Sequence, residues 1–291
     1  MERCVVTGAS GLVGHQLTEM LAANGRRVVA WQRSAPRPHL SSAGNSIEYR
    51  SFELGGAADA DVEQALAGVD AFIHCAWDMH SGAWDEIQRI NVHGSIAWFQ
   101  AAARAGVKKL IFISSVSAYP GCRSKYGRSK LQVEDAVMRL AGVSVRPGIV
   151  YGDPSAGVYG RLCRSTNASI VPLIDGGRQR MLTIHREDLA AAIERLLVDY
   201  QRWKGRVLVI GHPRLVTMRG LLVDIARARG RSLRFVNVPG GAVMLALRTA
   251  EAMGLRLQFR SDSLVTLRGP EPVVDTRVLD ELGVPLRAFA P

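Results

Sequence analysis

The sequence predicts an α/β fold, a doubly wound parallel sheet with a smaller C-terminal lobe. Three observations predict it. Short apolar runs alternate with amphipathic stretches in the first half, a glycine-rich turn follows the first run, and glycines follow the helix-like segments. Alternating strands and helices form βαβ units, and their parallel sheet carries helices on both faces.

The elements follow one another in a regular order. Buried strands are predicted at residues 3–7, 27–32, 47–52, 71–75, 109–114 and 143–146. Between them, the helical period of apolar residues predicts helices at 12–23, 60–67, 84–105 and 125–140. Asn24-Gly25, Ala105-Gly106 and Ala141-Gly142 stand where a glycine commonly closes a helix. After residue 150 the pattern loosens, and we predict helices at 187–200, 217–229 and 276–282 and a strand at 206–210.

The composition argues against several classes of protein. The 291 residues include 37 Lys and Arg against 26 Asp and Glu, a formal net charge of +11. The basic residues are scattered, which disfavours a nucleic-acid partner and suits a small phosphate-bearing ligand. No run of about 18 apolar residues occurs, so no membrane span is predicted. The four cysteines show no paired spacing, and we predict no metal site. The first strand begins near residue 3 without a signal peptide, so a reduced, cytoplasmic location is expected.

The first strand leads into the segment Thr7-Gly8-Ala9-Ser10-Gly11-Leu12-Val13-Gly14, and a helix follows. Gly8 allows a tight turn, Gly11 lets a pyrophosphate approach the backbone, and Gly14 lets helix and strand pack closely. Free amides and the helix dipole attract phosphate at such an end. The segment therefore predicts a Rossmann-type dinucleotide site, with contacts from Gly8, Ser10, Gly11, Leu12, Val13 and Gly14.

Further motifs follow in a fixed order. They are Phe72-Ile73-His74-Cys75-Ala76, Ile90-Asn91-Val92 with Gly94, Phe112-Ile113-Ser114-Ser115-Val116, Tyr126-Gly127-Arg128-Ser129-Lys130 and Arg146-Pro147-Gly148-Ile149-Val150-Tyr151-Gly152. With the Gly-x-x-Gly-x-x-Gly turn they cover residues 3–152 and resemble the short-chain dehydrogenase/reductase superfamily, in its extended or atypical, epimerase/dehydratase-like branch. The resemblance implies an NAD(P)-dependent oxidoreductase or epimerase acting on a small molecule such as a sugar or nucleotide sugar. It also implies cofactor contacts from Cys75, Ala76, Lys130, Pro147 and Ile149.

Tyr126 and Lys130 form the candidate catalytic pair. They lie four residues apart on a predicted helix and so share one face. A nearby ammonium favours the phenolate of a tyrosine, whose ordinary pKa is about 10. The resemblance implies that Tyr126 moves the proton, that Lys130 supplies charge and holds the nicotinamide ribose, and that Ser115 polarises the substrate oxygen. Ser117 stays a rival for the serine role, because the strand end is fixed only to within about two residues.

The residues at the end of the second strand indicate whether NAD or NADP is the preferred cofactor. This end reads Gln32-Arg33 and carries no acid, whereas an acidic residue there would bond the ribose hydroxyls of NAD. The guanidinium of Arg33 suits a 2′-phosphate, whose oxygens it can bind in pairs. We therefore expect NADP(H) to be preferred, with NAD(H) as the alternative. The resemblance further implies that Glu53 and Leu54 contact the adenine.

Residues 1–155, rejoined by about 187–210, are interpreted as the NAD(P)-binding domain, and 156–291 mostly as a substrate-binding lobe. Trp77 and His80 follow the fourth strand at the ligand-binding edge, where they either line the substrate pocket or belong to an ordinary loop. In nucleotide-sugar epimerases an arginine commonly holds the diphosphate where this chain has Met181. Arg180 is adjacent but out of register, and it is kept as a candidate substrate contact. This departure weakens the nucleotide-sugar interpretation.

Several alternatives stay open. A non-catalytic NADPH-binding structural or sensor protein competes with the enzyme, although the presence of both Tyr126 and Lys130 favours an enzyme. The sequence is compatible with net oxidation or reduction of a substrate. It is equally compatible with internal redox, in which an epimerase regenerates its cofactor in every turnover. His74, Asn91 and His185 are interpreted as structural. A homodimer through helices 84–105 and 126–140 is implied by the resemblance alone.

Overall fold

A parallel sheet of seven strands runs through the part of the chain that the computed structural model describes, residues 1–33, 47–56, 60–255, 257 and 259–291. The strands are β1 (Arg3–Thr7), β2 (Arg27–Gln32), β3 (Ile47–Ser51), β4 (Ala71–His74), β5 (Lys109–Ile113), β6 (Val143–Pro147), β7 (Ile149–Tyr151), β8 (Ile170–Ile174), β9 (Arg180–Met181), β10 (Thr183–His185), β11 (Val207–Ile210), β12 (Val216–Thr217) and β13 (Arg234–Val238). The seven-stranded sheet has the order β11-β6-β5-β4-β1-β2-β3. The other strands form three two-stranded pairs, β7 with β10, β8 with β13 and β9 with β12.

Helices cover both faces of this sheet. The helices of the described residues are α1 (Leu12–Ala23), α2 (Ala60–Leu66), α3 (Trp84–Ile87), α4 (Gly94–Arg104), α5 (Lys125–Arg139), α6 (Gly157–Ser165), α7 (Arg186–Val198), α8 (Tyr200–Trp203), α9 (Met218–Ala228), α10 (Gly240–Ala252), α11 (Ser261–Leu267) and α12 (Thr276–Leu282), of which α1, α2, α4, α5, α7, α8 and α12 pack on the sheet. Leu17 of α1 and Ile193 of α7 are buried in one core, whereas Leu66, Phe99 and Val137 are buried in the core on the opposite face. Burial of each such side chain stabilises the folded state by about 1.5–3 kcal/mol. The predicted doubly wound fold is confirmed.

The strand order reverses between β1 and β4, which are neighbours in the sheet although β2 and β3 separate them in the chain. Thr7 and His74, the last residues of these two strands, pair with each other. A reversal of this kind opens a crevice at the carboxyl ends of the strands, where ligands bind in open α/β sheets. The glycine-rich turn after β1 and the Cys75-Ala76 segment after β4 therefore meet at this edge.

One long helix is predicted at 84–105, and the structure interrupts it with a wider π-helical turn at Gln88–His93. Asn91 lies in this turn, where its side-chain oxygen accepts from the Asp78 amide at 2.7 Å and its nitrogen donates to the Asp78 carbonyl at 2.9 Å. The prediction that Asn91 fixes backbone agrees with these contacts. Such turns are frequent at functional sites.

The end of α5 differs from the prediction. Ala141, with φ of +54°, is the left-handed residue, and Gly142 is not in that region. Gly142 serves packing instead, because a Cβ there would lie 2.6 Å from Cγ1 of Val137. The sequence pattern placed a glycine at the end of the helix correctly but assigned the left-handed turn to the wrong residue.

We expect Ala141→Gly to raise the free energy of unfolding by about 0.5–1 kcal/mol. The substitution removes the cost of an L-residue in the left-handed region, partly offset by the larger chain entropy of glycine. Urea unfolding measures the change. Gly142→Ala, at the adjacent position, should destabilise instead, and a gain in stability from that variant would contradict the packing argument.

The C-terminal half is less regular. The predicted helices and strand there correspond to α7 with α8, α9, α12 and β11, whereas the pattern missed α6, α10, α11 and the β8–β13 pair. The chain after α12 returns to α7, where the Arg287 side chain donates to buried Asp188 at 2.7 Å. Among the helices of the described residues, none combines the length and apolar character needed to cross a membrane. The division at residue 155 stays a prediction.

Candidate active site

The glycine-rich turn is closely packed at the end of β1. Gly8 has φ of +68°, and a Cβ on it would lie 2.7 Å from the Ala76 nitrogen. The Gly11 amide donates to the Gly8 carbonyl at 2.9 Å. A Cβ on Gly14 would collide with that same carbonyl, so α1 begins directly against the turn. Gly8 and Gly14 thus have the conformational and packing reasons that the sequence predicts for them.

The N-terminus of α1 faces this turn. Gly11 caps the helix in an extended conformation and has no side chain to bond the first-turn amides. The amides of Leu12, Val13 and Gly14 have no acceptor inside the helix, as in any first turn. Ser10 and Gly11 are exposed. This end of the helix therefore offers backbone donors and a positive dipole to an anion.

A chain of hydrogen bonds fixes the end of β4. His74 contacts the Thr7 hydroxyl through Nδ1 at 2.8 Å and the Ser95 hydroxyl through Nε2 at 2.9 Å. Burial, assisted by the charge of Lys130, lowers the pKa of His74 to about 3, so the ring is neutral. The Ala76 amide donates to the Thr7 hydroxyl at 3.3 Å. Burial raises the pKa of the Cys75 thiol to about 12. His74 is thus structural, and the Cys75-Ala76 segment is held against Gly8.

The residues predicted to contact the adenosine half lie at the ends of β2 and β3. Gln32 pairs with Ser51, and the Ser51 hydroxyl donates to the Arg33 carbonyl at 3.4 Å. The side chains of Arg33 and Glu53 are exposed. Leu54 is partly buried against the core under α4. The structure therefore brings these residues to one edge of the crevice.

Lys130 is buried on α5, with 2% of its surface exposed. Its Nζ donates to the Ile113 carbonyl at 2.8 Å and lies 3.7 Å from the centroid of the Trp77 ring. Burial lowers the pKa of Lys130 to about 7. The Tyr126 ring centroid lies 6.0 Å from Nζ. The predicted Tyr-Lys pair is therefore assembled on one face of α5.

Burial, a serine and an arginine all act on the pKa of Tyr126. Burial raises its pKa, while a hydrogen bond with the Ser115 side chain and the charge of Arg161 act in the opposite direction. Ser117 stands behind Ser115, with the two Oγ atoms 3.2 Å apart and the Ser117 amide donating to Ser115 Oγ. Ser115 is the rival serine that acts on the pKa of Tyr126, and its assignment to the catalytic role stays a prediction.

The remaining candidates fall into two groups. Pro147 lies beside the serines, since its carbonyl accepts from the Val116 amide at 3.3 Å, and Ile149 follows on β7. Trp77 contacts Tyr126 edge to face, with centroids 6.2 Å apart. His80 is exposed and pairs with Asp78 at 3.1 Å, and exposed Arg180 pairs with Glu271 at 3.4 Å. The structure thus brings Trp77 to the Tyr-Lys pair, whereas the exposed His80 side chain contacts Asp78 and Arg180 forms an exposed ion pair with Glu271.

Sequence reasoning missed two contributors. Asp262 of α11 accepts from the Lys125 amide at 2.6 Å and from the Tyr126 amide at 3.2 Å, so it caps the helix that carries Tyr126. Arg161 of α6 supplies the charge described above. Both belong to segments far from α5 in the chain, and no local pattern indicates such contacts.

Comparison with known proteins shows which family this chain belongs to. The sequence profile of the NAD dependent epimerase/dehydratase family matches residues 4–211. The chain belongs to this family. The resemblance drawn from the motifs is thereby confirmed.

Named relatives include reductases. Ceramide reductase of Caulobacter vibrioides is 30% identical, but the match covers 65% of this chain and 58% of that protein. The 4-hydroxy-2-methyl-3-oxo-4-farnesyl-3,4-dihydroquinoline-1-oxide ketoreductase of Stigmatella aurantiaca is 26% identical over 97% of this chain and 91% of its own. The solved structure of MoeE5 in complex with UDP-glucuronic acid and NAD matches 99% of this chain and 95% of that chain, at a TM-score of 0.73 and 21% identity. At that identity the likeness supports the fold alone.

Proposed function

We propose that this protein is an NADP(H)-preferring ketoreductase that reduces a ketone on a molecule with a long apolar chain. The observation that carries the proposal is the placement of Tyr126 one helical turn from buried Lys130, whose Nζ lies 6.0 Å from the Tyr126 ring centroid, with Trp77 against both side chains. Two further observations support it. Met181 replaces an arginine expected in nucleotide-sugar epimerases, and a relative matched along nearly its whole length is named a ketoreductase of a farnesylated compound.

The residues present fit a dinucleotide. Ser10 and Gly11 are exposed at the turn, and the first-turn amides of α1 are available to a pyrophosphate. Arg33 is available to a 2′-phosphate, whereas Lys130 and Pro147 would hold the nicotinamide half. When bound, the nicotinamide supplies a hydride to the substrate carbon.

The chain's own groups handle the proton. Ser115 donates a hydrogen bond to the ketone oxygen and so polarises the carbonyl. Tyr126 then donates its phenolic proton to that oxygen. Burial raises the pKa of Tyr126, which keeps this proton in place until the oxygen becomes basic. Protonated Lys130 stabilises the resulting phenolate, and exchange with solvent restores the proton. The same groups run in reverse for alcohol oxidation.

A substrate panel tests the proposed function. Methyl 3-oxo esters of increasing chain length are supplied with NADPH, and loss of reduced nicotinamide absorbance is followed. We expect kcat/KM to rise with chain length. UDP-glucose with NAD serves as the comparison, and its conversion to a stereoisomer without reduction of the 3-oxo esters would overturn the proposal in favour of an epimerase.

Ser115→Ala should lower kcat/KM by about 10²-fold, because the hydrogen bond to the developing oxyanion is lost. Ser117→Ala is the matched control, since Ser117 contacts Ser115 and not Tyr126; we expect it to stay within about threefold of the wild type. Steady-state kinetics with NADPH decides between them. The reverse ranking would move the serine role to Ser117.

Arg33→Ala should weaken NADPH binding by about 10–100-fold and leave NADH binding within about threefold, because one charge-assisted phosphate contact is lost. Arg50→Ala controls for charge, since Arg50 is a half-exposed arginine on the neighbouring strand that pairs with Glu48. Calorimetric titration with both cofactors at fixed salt measures the difference. Equal losses for the two cofactors would exclude a 2′-phosphate contact.

A further inference from the structure

Helix α10 is apolar and largely uncovered. All of its residues from Gly240 to Ala252 are described, and Gly240 alone is buried. Leu245 is 70% exposed, and Met253, directly after the helix, is 66% exposed. A surface helix ordinarily turns its apolar stripe toward the core and its polar residues toward water. In α10, Val243, Met244 and Leu247 are half-buried, whereas Leu245 is left in solvent on the opposite side.

The β8–β13 pair, whose second strand directly precedes α10 in the chain, also exposes apolar residues. Val171 and Leu173 of β8 are buried, while the alternate residue Ile170 is 58% exposed. On β13, Val236 is 52% exposed, and β13 leads through Pro239 into α10. The solvent face of a two-stranded pair usually carries polar residues. We call Ile170, Val236, Leu245 and Met253 the apolar lobe surface.

The charges around this surface are cationic. Arg234 on β13 and Arg248 on α10 are exposed. The neighbouring carboxylates are engaged within the protein: Glu251 accepts from Ser261, and Asp175 accepts from the Gly240 amide and pairs with Arg268. With the net charge of +11, the exposed groups complement an anionic surface.

We propose that the apolar lobe surface docks onto a bilayer containing anionic phospholipid, with α10 lying in the interface and not crossing it. Exposed apolar side chains flanked by arginine are the combination that holds interfacial helices on such bilayers. A second copy of the chain is a poorer occupant, because a two-fold interface over α10 would bring Arg248 close to its own copy.

Docking here has a consequence for the active site. The segment after α10 reaches the site, where Arg260 donates to the Ser81 carbonyl at 3.2 Å and Asp262 caps the helix of Tyr126. A docked α10 therefore places the rim of the site near the bilayer. In this respect the inference rests on the proposed function, since an apolar-chain ketone would reach the site from the membrane.

Vesicle sedimentation tests docking without cofactor or substrate, so its result is independent of the proposed function. The wild type should bind vesicles of phosphatidylcholine with phosphatidylglycerol, and bind less to phosphatidylcholine alone and at high salt. Leu245→Glu with Met253→Glu should reduce binding by about tenfold or more. Val198→Glu is the matched control, an exposed valine (64%) at the end of α7, and should bind as the wild type.

A second variant and a second measurement complete the test. Arg248→Glu alters a single exposed side chain and should also weaken binding, with unchanged thermal unfolding. Failure of the wild type to bind, or equal binding by wild type and the double variant, overturns the proposal. Light scattering that shows a dimer dissociated by the double substitution, without vesicle binding, would assign the surface to self-association instead.

Discussion

Replacing Tyr126 by phenylalanine should lower kcat/KM by about 10²–10⁴-fold and leave the Kd for NADPH unchanged. The substitution removes the proton donor but keeps the aromatic ring that contacts Trp77 at a centroid distance of 6.2 Å. Ketone reduction kinetics and fluorescence titration with NADPH measure the two quantities separately.

Tyr119→Phe is the matched control, because Tyr119 is a nearby tyrosine whose hydroxyl lies close to Gly269 and not to Ser115. We expect its turnover to stay within about threefold of the wild type. Loss of NADPH binding in Tyr126→Phe would show that this residue holds the cofactor and does not move the proton.

Gly8→Ala should lower the free energy of unfolding by roughly 3 kcal/mol or more and abolish cofactor binding. An L-residue in the left-handed region costs about 1–2 kcal/mol. The added Cβ would also meet the Ala76 backbone at 2.7 Å, and that backbone is held by the Thr7 hydroxyl. Urea unfolding and NADPH titration measure the two effects.

The chain offers a control that separates the two causes. Gly25 has φ of +78°, and a Cβ there would meet nothing within 4 Å. Gly25→Ala should therefore show the conformational cost of about 1–2 kcal/mol without the steric one. Equal destabilisation by both substitutions would mean that the turn relaxes around the new methyl group.

The first half of the fold was predictable because local patterns determine it. Strand β1 and the turn from Gly8 to Gly14 are contiguous, and their geometry follows from hydrophobic period and glycine spacing. Tyr126 and Lys130 are four residues apart on one helix, so the sequence alone indicates that they act together. The choice between Ser115 and Ser117 stays a prediction, because both follow one strand and their hydroxyl oxygens lie 3.2 Å apart.

The C-terminal half was less predictable for a physical reason. The Asp262 cap on the Tyr126 helix joins residues 136 positions apart, and loop closure over such a distance leaves no periodic trace in the sequence. Helix α10 is rich in small and apolar residues on all sides, so the sequence does not show the single apolar stripe from which a surface helix is ordinarily inferred. Ala141 in the left-handed region contradicts the residue preference that places glycine there.

The contact between Asp188 and Arg287 bears on how this chain folds during synthesis. Helix α7 belongs to the core of the sheet, yet the structure pairs its buried carboxylate with a guanidinium 99 residues further along. Until residue 287 leaves the ribosome, the carboxylate lacks that partner, and an unpaired buried charge strongly destabilises a fold. A fragment ending near residue 211, where the family match stops, is therefore expected to be a poor folding unit, because the part of the chain that forms the parallel sheet needs Arg287 to complete its packing.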